Sequence, residues 1–285
     1  MLYRSILQRI VIPFVAFAPI LSTVHAAGST PGSVRLYTMD CGAITLQPRA
    51  MHLFDDTDAY IDAAGVMSVP CFLVHHPDGH LIWDAGLSDS FAGRKMVDLG
   101  DGFTVMLERS LADQLEQLHL TPADVDLIAF SHHHFDHTGN ARLFAKATYL
   151  LNRRELQWSR NEPFGVEPEH LALVTDANSK LIEHDYDVFG DGKVRILQTP
   201  GHTPGHQALM LKLDTAGTVI LSGDLYHTRD NFSLSRVAAV NHSRAETLAS
   251  FDRVVSLINK YGARIVIQHD PDDIAALPPF PEYLD

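Results

Sequence analysis

Cysteine is scarce in this chain: Cys41 and Cys71 are the only two in 285 residues. That excludes a small disulfide-stapled scaffold, and the lack of any C-x-x-C pair excludes thiol redox motifs and cysteine-based zinc modules. Basic residues are also few, 22 Lys and Arg against 35 Asp and Glu, and no basic run exceeds two residues. A formal net charge of −13 disfavours polyanionic partners, so neither nucleic acid nor an anionic membrane surface is expected. No uninterrupted apolar run approaches the ~20 residues that span a bilayer. The nearest candidate, Ile10 to Val24, is broken by Pro13 and Pro19. With Arg4 and Arg9 ahead of it and Val24-His25-Ala26 behind it, this stretch reads as a secretory signal over residues 1–26. The mature protein is then expected in the periplasm or the medium, free of the membrane, with a net charge of −15 because two arginines and no acids are lost. Internal repeats, low-complexity tracts and linker-like shifts are missing after residue 33, so residues 33–285 read as one domain. In an oxidising compartment Cys41 and Cys71 could bridge the first two strands of the mature chain; equally, each could pack as a small hydrophobe.

Histidine is abundant, and its placement carries the chemistry. Ser131-His132-His133-His134-Phe135-Asp136-His137 follows the apolar run Val125–Phe130, which reads as a buried strand. A loop leaving a strand can fan its side chains around one point, and imidazole with carboxylate is the donor set that suits zinc-like divalent ions. His202 in Thr199-Pro-Gly-His, Asp224 in Leu221-Ser-Gly-Asp and His269 in Ile267-Gln-His each follow a further apolar run. One ion needs about four ligands. The donors His132, His134, Asp136, His137, His202, Asp224 and His269 therefore suffice for two ions with a shared bridge. The competing reading is a histidine-rich surface loop that takes up metal adventitiously. His133 alternates away from the other donors and reads as packing, His206 as structural, and His75, His76 and His80 as solvated hairpin residues.

Pro77-Asp78-Gly79 between two apolar runs signals a hairpin. Val105, Leu107, Leu111, Leu115 and Leu118 recur at helical spacing, and Thr121-Pro122-Ala123-Asp124 starts a short second helix. Strands are expected at Arg195–Gln198, Ala208–Leu213, Val219–Leu221 and Arg264–Gln268. Ser243 and Glu246 form a capping box for a helix with Leu248, Phe251, Val255 and Ile258 on its core face and Gly262 as its stop. The segment Leu46–Met67 has no clean period. It is expected to fold over the metal site and to supply an apolar wall from Met51, Phe54 and Tyr60.

The order and context of these motifs resemble the metallo-β-lactamase superfamily over nearly the whole chain after residue 33. The resemblance implies an α/β fold, the αββα sandwich, in which two mixed sheets pack face to face with helices outside. It also implies a division of ligands: His132, His134 and His202 for one metal, Asp136, His137 and His269 for the other, and Asp224 bridging both. The metals would most commonly be two Zn2+ per chain. Ile82-Trp-Asp84-Ala-Gly86 looks like the family's strand-end Asp-x-Gly, whose Asp supports the ligands from behind.

Within the superfamily, Asp224 stands where the β-lactam-hydrolysing members lack a bridging aspartate, and only sixteen residues follow His269, too few for a glyoxalase II helical domain. Met39-Asp40-Cys41-Gly42, Val69-Pro70-Cys71-Phe72-Leu73 and Ser222-Gly-Asp-Leu-Tyr226-His resemble the secreted N-acyl homoserine lactone lactonases. The resemblance thus implies an ester hydrolase with a dinuclear site, opening the lactone ring of a small-molecule acyl homoserine lactone by a bridging hydroxide. Asp224 and Asp136 would be its catalytic carboxylates, with Tyr226 or His227 leaning over the substrate. The cytoplasmic lactonases carry a tyrosine three residues past the bridging Asp; here that place is His227, with Tyr226 one earlier. The alternatives are an exported phosphotriesterase using the same site and a non-catalytic metal-binding or sensory protein on this fold.

Overall fold

The computed structural model describes residues 32–285; the expected signal segment, residues 1–26, lies outside them. Among the described residues, fourteen strands form two sheets. The first contains β1 (Arg35–Leu46), β2 (Gly65–His76), β3 (Gly79–Trp83), β4 (Val97–Gly100), β5 (Phe103–Met106), β6 (Leu127–Ala129), β7 (Thr148–Asn152) and β8 (Ser179–Ile182). Its order is β4-β5-β1-β2-β3-β6-β7-β8, and β14 (Tyr283–Leu284) adds to β1. The second runs β13-β12-β11-β10-β9, from β9 (Tyr186–Asp187), β10 (Val194–Gln198), β11 (Gln207–Leu213), β12 (Gly217–Leu221) and β13 (Arg264–Val266). Both sheets are mixed: β3, β6, β7 and β8 run parallel, as do β12 and β13, and the remaining pairings are antiparallel.

Side-chain alternation along the strands explains the layering. Phe72, Val74, Leu81 and Trp83 from the first sheet meet Ile196, Leu209, Leu211 and Val219 from the second in one buried core. The intervening Leu73 and Ile82 face the other way, against Leu111 and Leu115 of α2 (Leu111–Gln117). Met210 and Ile220 likewise turn outward toward Leu257 and Ile258 of α6 (Arg244–Tyr261). Each sheet is thus buried on both faces, which is why its strands read as near-continuous apolar runs. The expected αββα sandwich is the result.

The shorter helices are α1 (Pro48–Met51), α3 (Phe135–Thr138), α4 (Arg153–Ser159), α5 (Arg229–Leu234) and α7 (Pro271–Ala275). The expected hairpin forms, and Thr121 with Asp124 caps a single 3-10 turn. Four local expectations need correction. Val105 belongs to β5, because Ser110 accepts from the Asp113 amide and starts the helix only at Leu111. Ser243 caps α6 by accepting from the Glu246 amide, but the Glu246 carboxylate pairs with Arg154 and leaves the box half made. Val255 on that helix is exposed, and Val254 takes the buried place. His76 is no solvated hairpin residue: it is buried, stacked on Phe189, and bonded to Asp191. Cys41 and Cys71 are joined in a disulfide between β1 and β2, with Cα atoms 5.6 Å apart. This selects the bridged alternative.

Candidate metal centre

Every motif with metal-binding chemistry leaves the end of a strand at the same rim of the sandwich. β6 runs into the loop carrying His132 and His134 and then into α3, which carries Asp136 and His137; the β10–β11 turn carries His202; β12 delivers Asp224 and β13 delivers His269. Two donor groups result. His132, His134, His202 and Asp224 form one, and Asp136, His137 and His269 form the other, with donor atoms in each within 4.8 Å of one another. Asp224 reaches both groups. Its Oδ2 lies 3.7 Å from His132 Nε2 and 3.5 Å from His202 Nε2, and its Oδ1 lies 3.1 Å from His137 Nε2 and 3.0 Å from His269 Nε2. Oδ1 nevertheless has no hydrogen bond of good geometry. Donors aimed at common points, and not at one another, give this pattern.

The tautomers follow from what holds the far side of each ring. His137 Nδ1 donates to Asp84 Oδ2 at 3.0 Å, His269 Nδ1 to the Ser68 carbonyl at 2.7 Å, and His202 Nδ1 to Asn241 Oδ1 at 2.9 Å. Their Nε2 lone pairs then face the centre. His134 presents Nδ1, 2.9 Å from His132 Nε2 and 3.1 Å from His202 Nε2. Lone pairs at such range repel unless a proton or a cation lies between them. Burial holds His132 and His202 well below the ordinary imidazole range and His134 at about 4, so all three are neutral ligands at pH 7. Burial pulls His137 and His269 down as well, but Asp224 and other carboxylates outweigh it and carry both upward. Burial alone would raise Asp224; His269, His137 and His132 hold it well below the usual carboxylate range. The donor set therefore fits divalent ions: three imidazoles neutral at pH 7, two more beside carboxylates that would give up a proton to an ion, and ionised oxygen where positive charge would sit.

Asp84 occupies the supporting place expected of it. It is fully buried at φ 56°, a strained region for a residue with a side chain, and besides His137 it accepts from the Ser131 amide at 2.6 Å and from Gln268 at 2.8 Å. His133 is buried against Ser159 and does not face the centre. His206, expected to be structural, does more than fill space. Its Nδ1 donates to Thr199, so its Nε2 accepts the Asp224 amide proton at 2.9 Å and fixes the backbone of the shared ligand. Glu155, absent from the sequence reading, accepts from the His133 and Gly205 amides and ties the two ligand loops together.

Beside the donors lies a cavity walled by Ile44, Leu53, Phe54, Met67, Phe103 and Val240. Phe54 is the one residue of the expected wall that lines it. Met51 does not: it turns under β2 beside Gly65. Nor does Tyr60, whose hydroxyl bonds Thr228 and Asp230. Of the pair after Asp224, His227 faces the cavity, with Nε2 3.3 Å from Asp224 Oδ2, no hydrogen-bond partner, and its ring 4.8 Å from that of Phe54. Tyr226 is corrected out of the site. It stacks on Phe251 and meets Phe232 edge-on beneath α6. The backbone at Tyr226 is extended, so consecutive side chains point to opposite sides.

This arrangement of sheets and strand-end donors defines the metallo-β-lactamase superfamily, whose sequence pattern matches residues 64–269, and the chain belongs to it. Within that superfamily it is similar to N-acyl homoserine lactonases. AttM of Azorhizobium caulinodans is 28% identical over 265 residues, 88% of this chain and 99% of AttM. AiiA of Bacillus thuringiensis subsp. kurstaki is 28% identical over 224 residues, 76% of this chain and 87% of AiiA. A solved N-acyl homoserine lactone hydrolase, with the product N-hexanoyl-L-homoserine bound at its catalytic metal centre, superposes with a TM-score of 0.76 at 25% identity, covering 88% of this chain and 99% of that one.

Proposed function

We propose that this chain hydrolyses the ring ester of N-acyl homoserine lactones, using two divalent ions, most commonly Zn2+. The observation that carries the reading is Asp224, one carboxylate reaching both donor groups at the floor of an apolar cavity. His132, His134 and His202 would hold one ion, Asp136, His137 and His269 the other, and Asp224 both. When bound, such a pair supplies a water acidified toward neutrality and a Lewis acid for the ester carbonyl. The chain does the rest. Asp224 accepts the proton of the attacking water and returns it to the leaving alkoxide. His227, with Nε2 unpartnered and facing the cavity, donates to the carbonyl oxygen as it gains charge. Phe54, Leu53 and Met67 exclude water and hold the acyl tail. The similarity to AttM, AiiA and the product-bound hydrolase supports the same choice of substrate.

Export is part of the proposal, supported by the Arg4–Ala26 pattern and by a disulfide that needs an oxidising compartment to persist. The mature N-terminus should lie near Ala27 by N-terminal sequencing of exported protein; an intact Met1 on membrane-bound product would contradict it. The activity itself is tested by assaying metal-analysed protein side by side on acyl homoserine lactones, an aryl phosphotriester and a chromogenic cephalosporin. Fast turnover of the phosphotriester with none of any lactone would overturn the reading.

A further inference from the structure

The Cys41–Cys71 bridge lies directly behind the centre. Both cysteines are buried, and the turn Asp84–Leu87 packs flat against them. A Cβ on Gly86 would sit 2.2 Å from Cys41 Cβ and 2.8 Å from Cys71 Sγ, and the Leu87 amide donates to the Cys41 carbonyl at 3.2 Å. That turn is also bonded to the ligand helix α3. The Ala85 amide donates to the His137 carbonyl at 2.7 Å, the Gly139 amide to the Gly86 carbonyl at 2.8 Å, and Asn140 Nδ2 to the carbonyls of Ala85 and Leu87. At the head of the turn is Asp84, the carboxylate that orients His137. On the other side of the bridge, β2 carries Ser68, whose carbonyl orients His269 and whose amide donates to the His269 carbonyl at 3.2 Å. Strand β1 bulges at this point, shifting register between Asp40 and Ala43, so ladder bonds alone hold the two strands less firmly there.

We propose that the Cys41–Cys71 bridge positions the second metal site, so that the position offered by Asp136, His137 and His269 is filled tightly only in the oxidised protein. The inference rests on the two-ion reading above. The asymmetry is specific. In the second group, His269 is aimed by Ser68 on the bridged strand β2 and His137 by Asp84 at the head of the turn that packs on the bridge, whereas in the first group His202 is aimed by Asn241, away from the bridge. Opening the bridge breaks the S–S bond and returns two thiols, the two electrons coming from a phosphine that becomes its oxide and the oxygen and both thiol protons from one water, and it frees the Asp84 turn to shift by the small amount that misaims an imidazole.

The test uses the full mature chain loaded with Co2+, whose absorption spectrum reports the ligand geometry, and dialysed against a competing chelator. The oxidised protein should retain two ions. Protein reduced with a phosphine, and the Cys41→Ala/Cys71→Ala double variant, should retain one, with the second position weakened about 10- to 100-fold. Reoxidation of the reduced wild type should restore the second ion and its spectrum. Gly86→Ala, which leaves both cysteines in place but forces the turn off the bridge, should lose the same ion. If the double variant does not fold, the reduced wild type held below its melting temperature gives the answer; if the buried bridge resists the phosphine, the double variant does. Equal chelator midpoints for both ions in oxidised and bridge-free protein would overturn the proposal. So would parallel loss of both ions, which marks general loosening. Oxidised protein that never takes a second ion would defeat the two-ion reading, and this inference with it.

Discussion

Trimming Phe54 to alanine tests the tail-binding wall with a signature that simple damage does not give. The side chain is 8% exposed, packs in the cluster with Met67 and Leu46, and lies against His227. Its loss uncovers roughly two methylenes of a long acyl tail, worth about 0.8 kcal/mol each. The expected penalty of about 1.6 kcal/mol is a loss of roughly 15-fold in kcat/KM for long-chain lactones. A short-chain lactone does not reach the vacated space and should change less than about 2-fold. Because a buried Phe→Ala also costs about 3–5 kcal/mol of stability, rates must be read well below the variant's melting temperature. Phe54→Leu, which keeps most of the apolar volume, should fall in between. A uniform loss across chain lengths would refute the reasoning and return Phe54 to the core alone.

Three further outcomes are expected. Asp224→Ala should keep the fold, by circular dichroism, while elemental analysis shows metal lost and activity falls to near zero, since this carboxylate serves both donor groups. Tyr226→Phe should leave kcat/KM unchanged and the melting temperature equal or higher, because the hydroxyl removed is buried without a partner, whereas His227→Ala should cost about 10²–10³-fold in kcat. Glu155 gives a pH signature: burial raises its carboxyl from 4.5 to about 7, so the folded state favours the protonated form. That contribution is fully present below pH 4.5 and lost as pH rises through about 7. Thermal melts of Glu155→Gln against wild type should therefore shift in the variant's favour from pH 5 to pH 8, by up to about 3 kcal/mol; a constant difference across that range would contradict the buried-acid account.

The candidate metal donors were legible because each lies within a few residues of an apolar strand, so local sequence alone sets where it emerges. The layering was legible for the same reason: strands buried on both faces leave unbroken Val, Ile and Leu runs. The cavity wall was not. Ile44, Met67 and Phe103 come from β1, β2 and β5, and which face of each strand meets the centre depends on register between distant segments. Tyr226 and His227 could not be told apart because the choice turns on one residue's backbone: Asp224 leaves the helical region inside its 3-10 turn and Tyr226 is extended, which sends the two rings to opposite sides. His206 and Glu155 were passed over because their work is on backbone amides of other loops, a contact that leaves no spacing pattern.

The most direct test of the two-ion lactonase account is mass spectrometry of the product from one acyl homoserine lactone, with the ion content of the same enzyme sample counted. The account predicts the ring-opened N-acyl homoserine, formed by protein holding two divalent ions, with turnover abolished by chelation and restored by adding the metal back. Release of a free fatty acid with an intact lactone ring, or full turnover by metal-free protein, would contradict it.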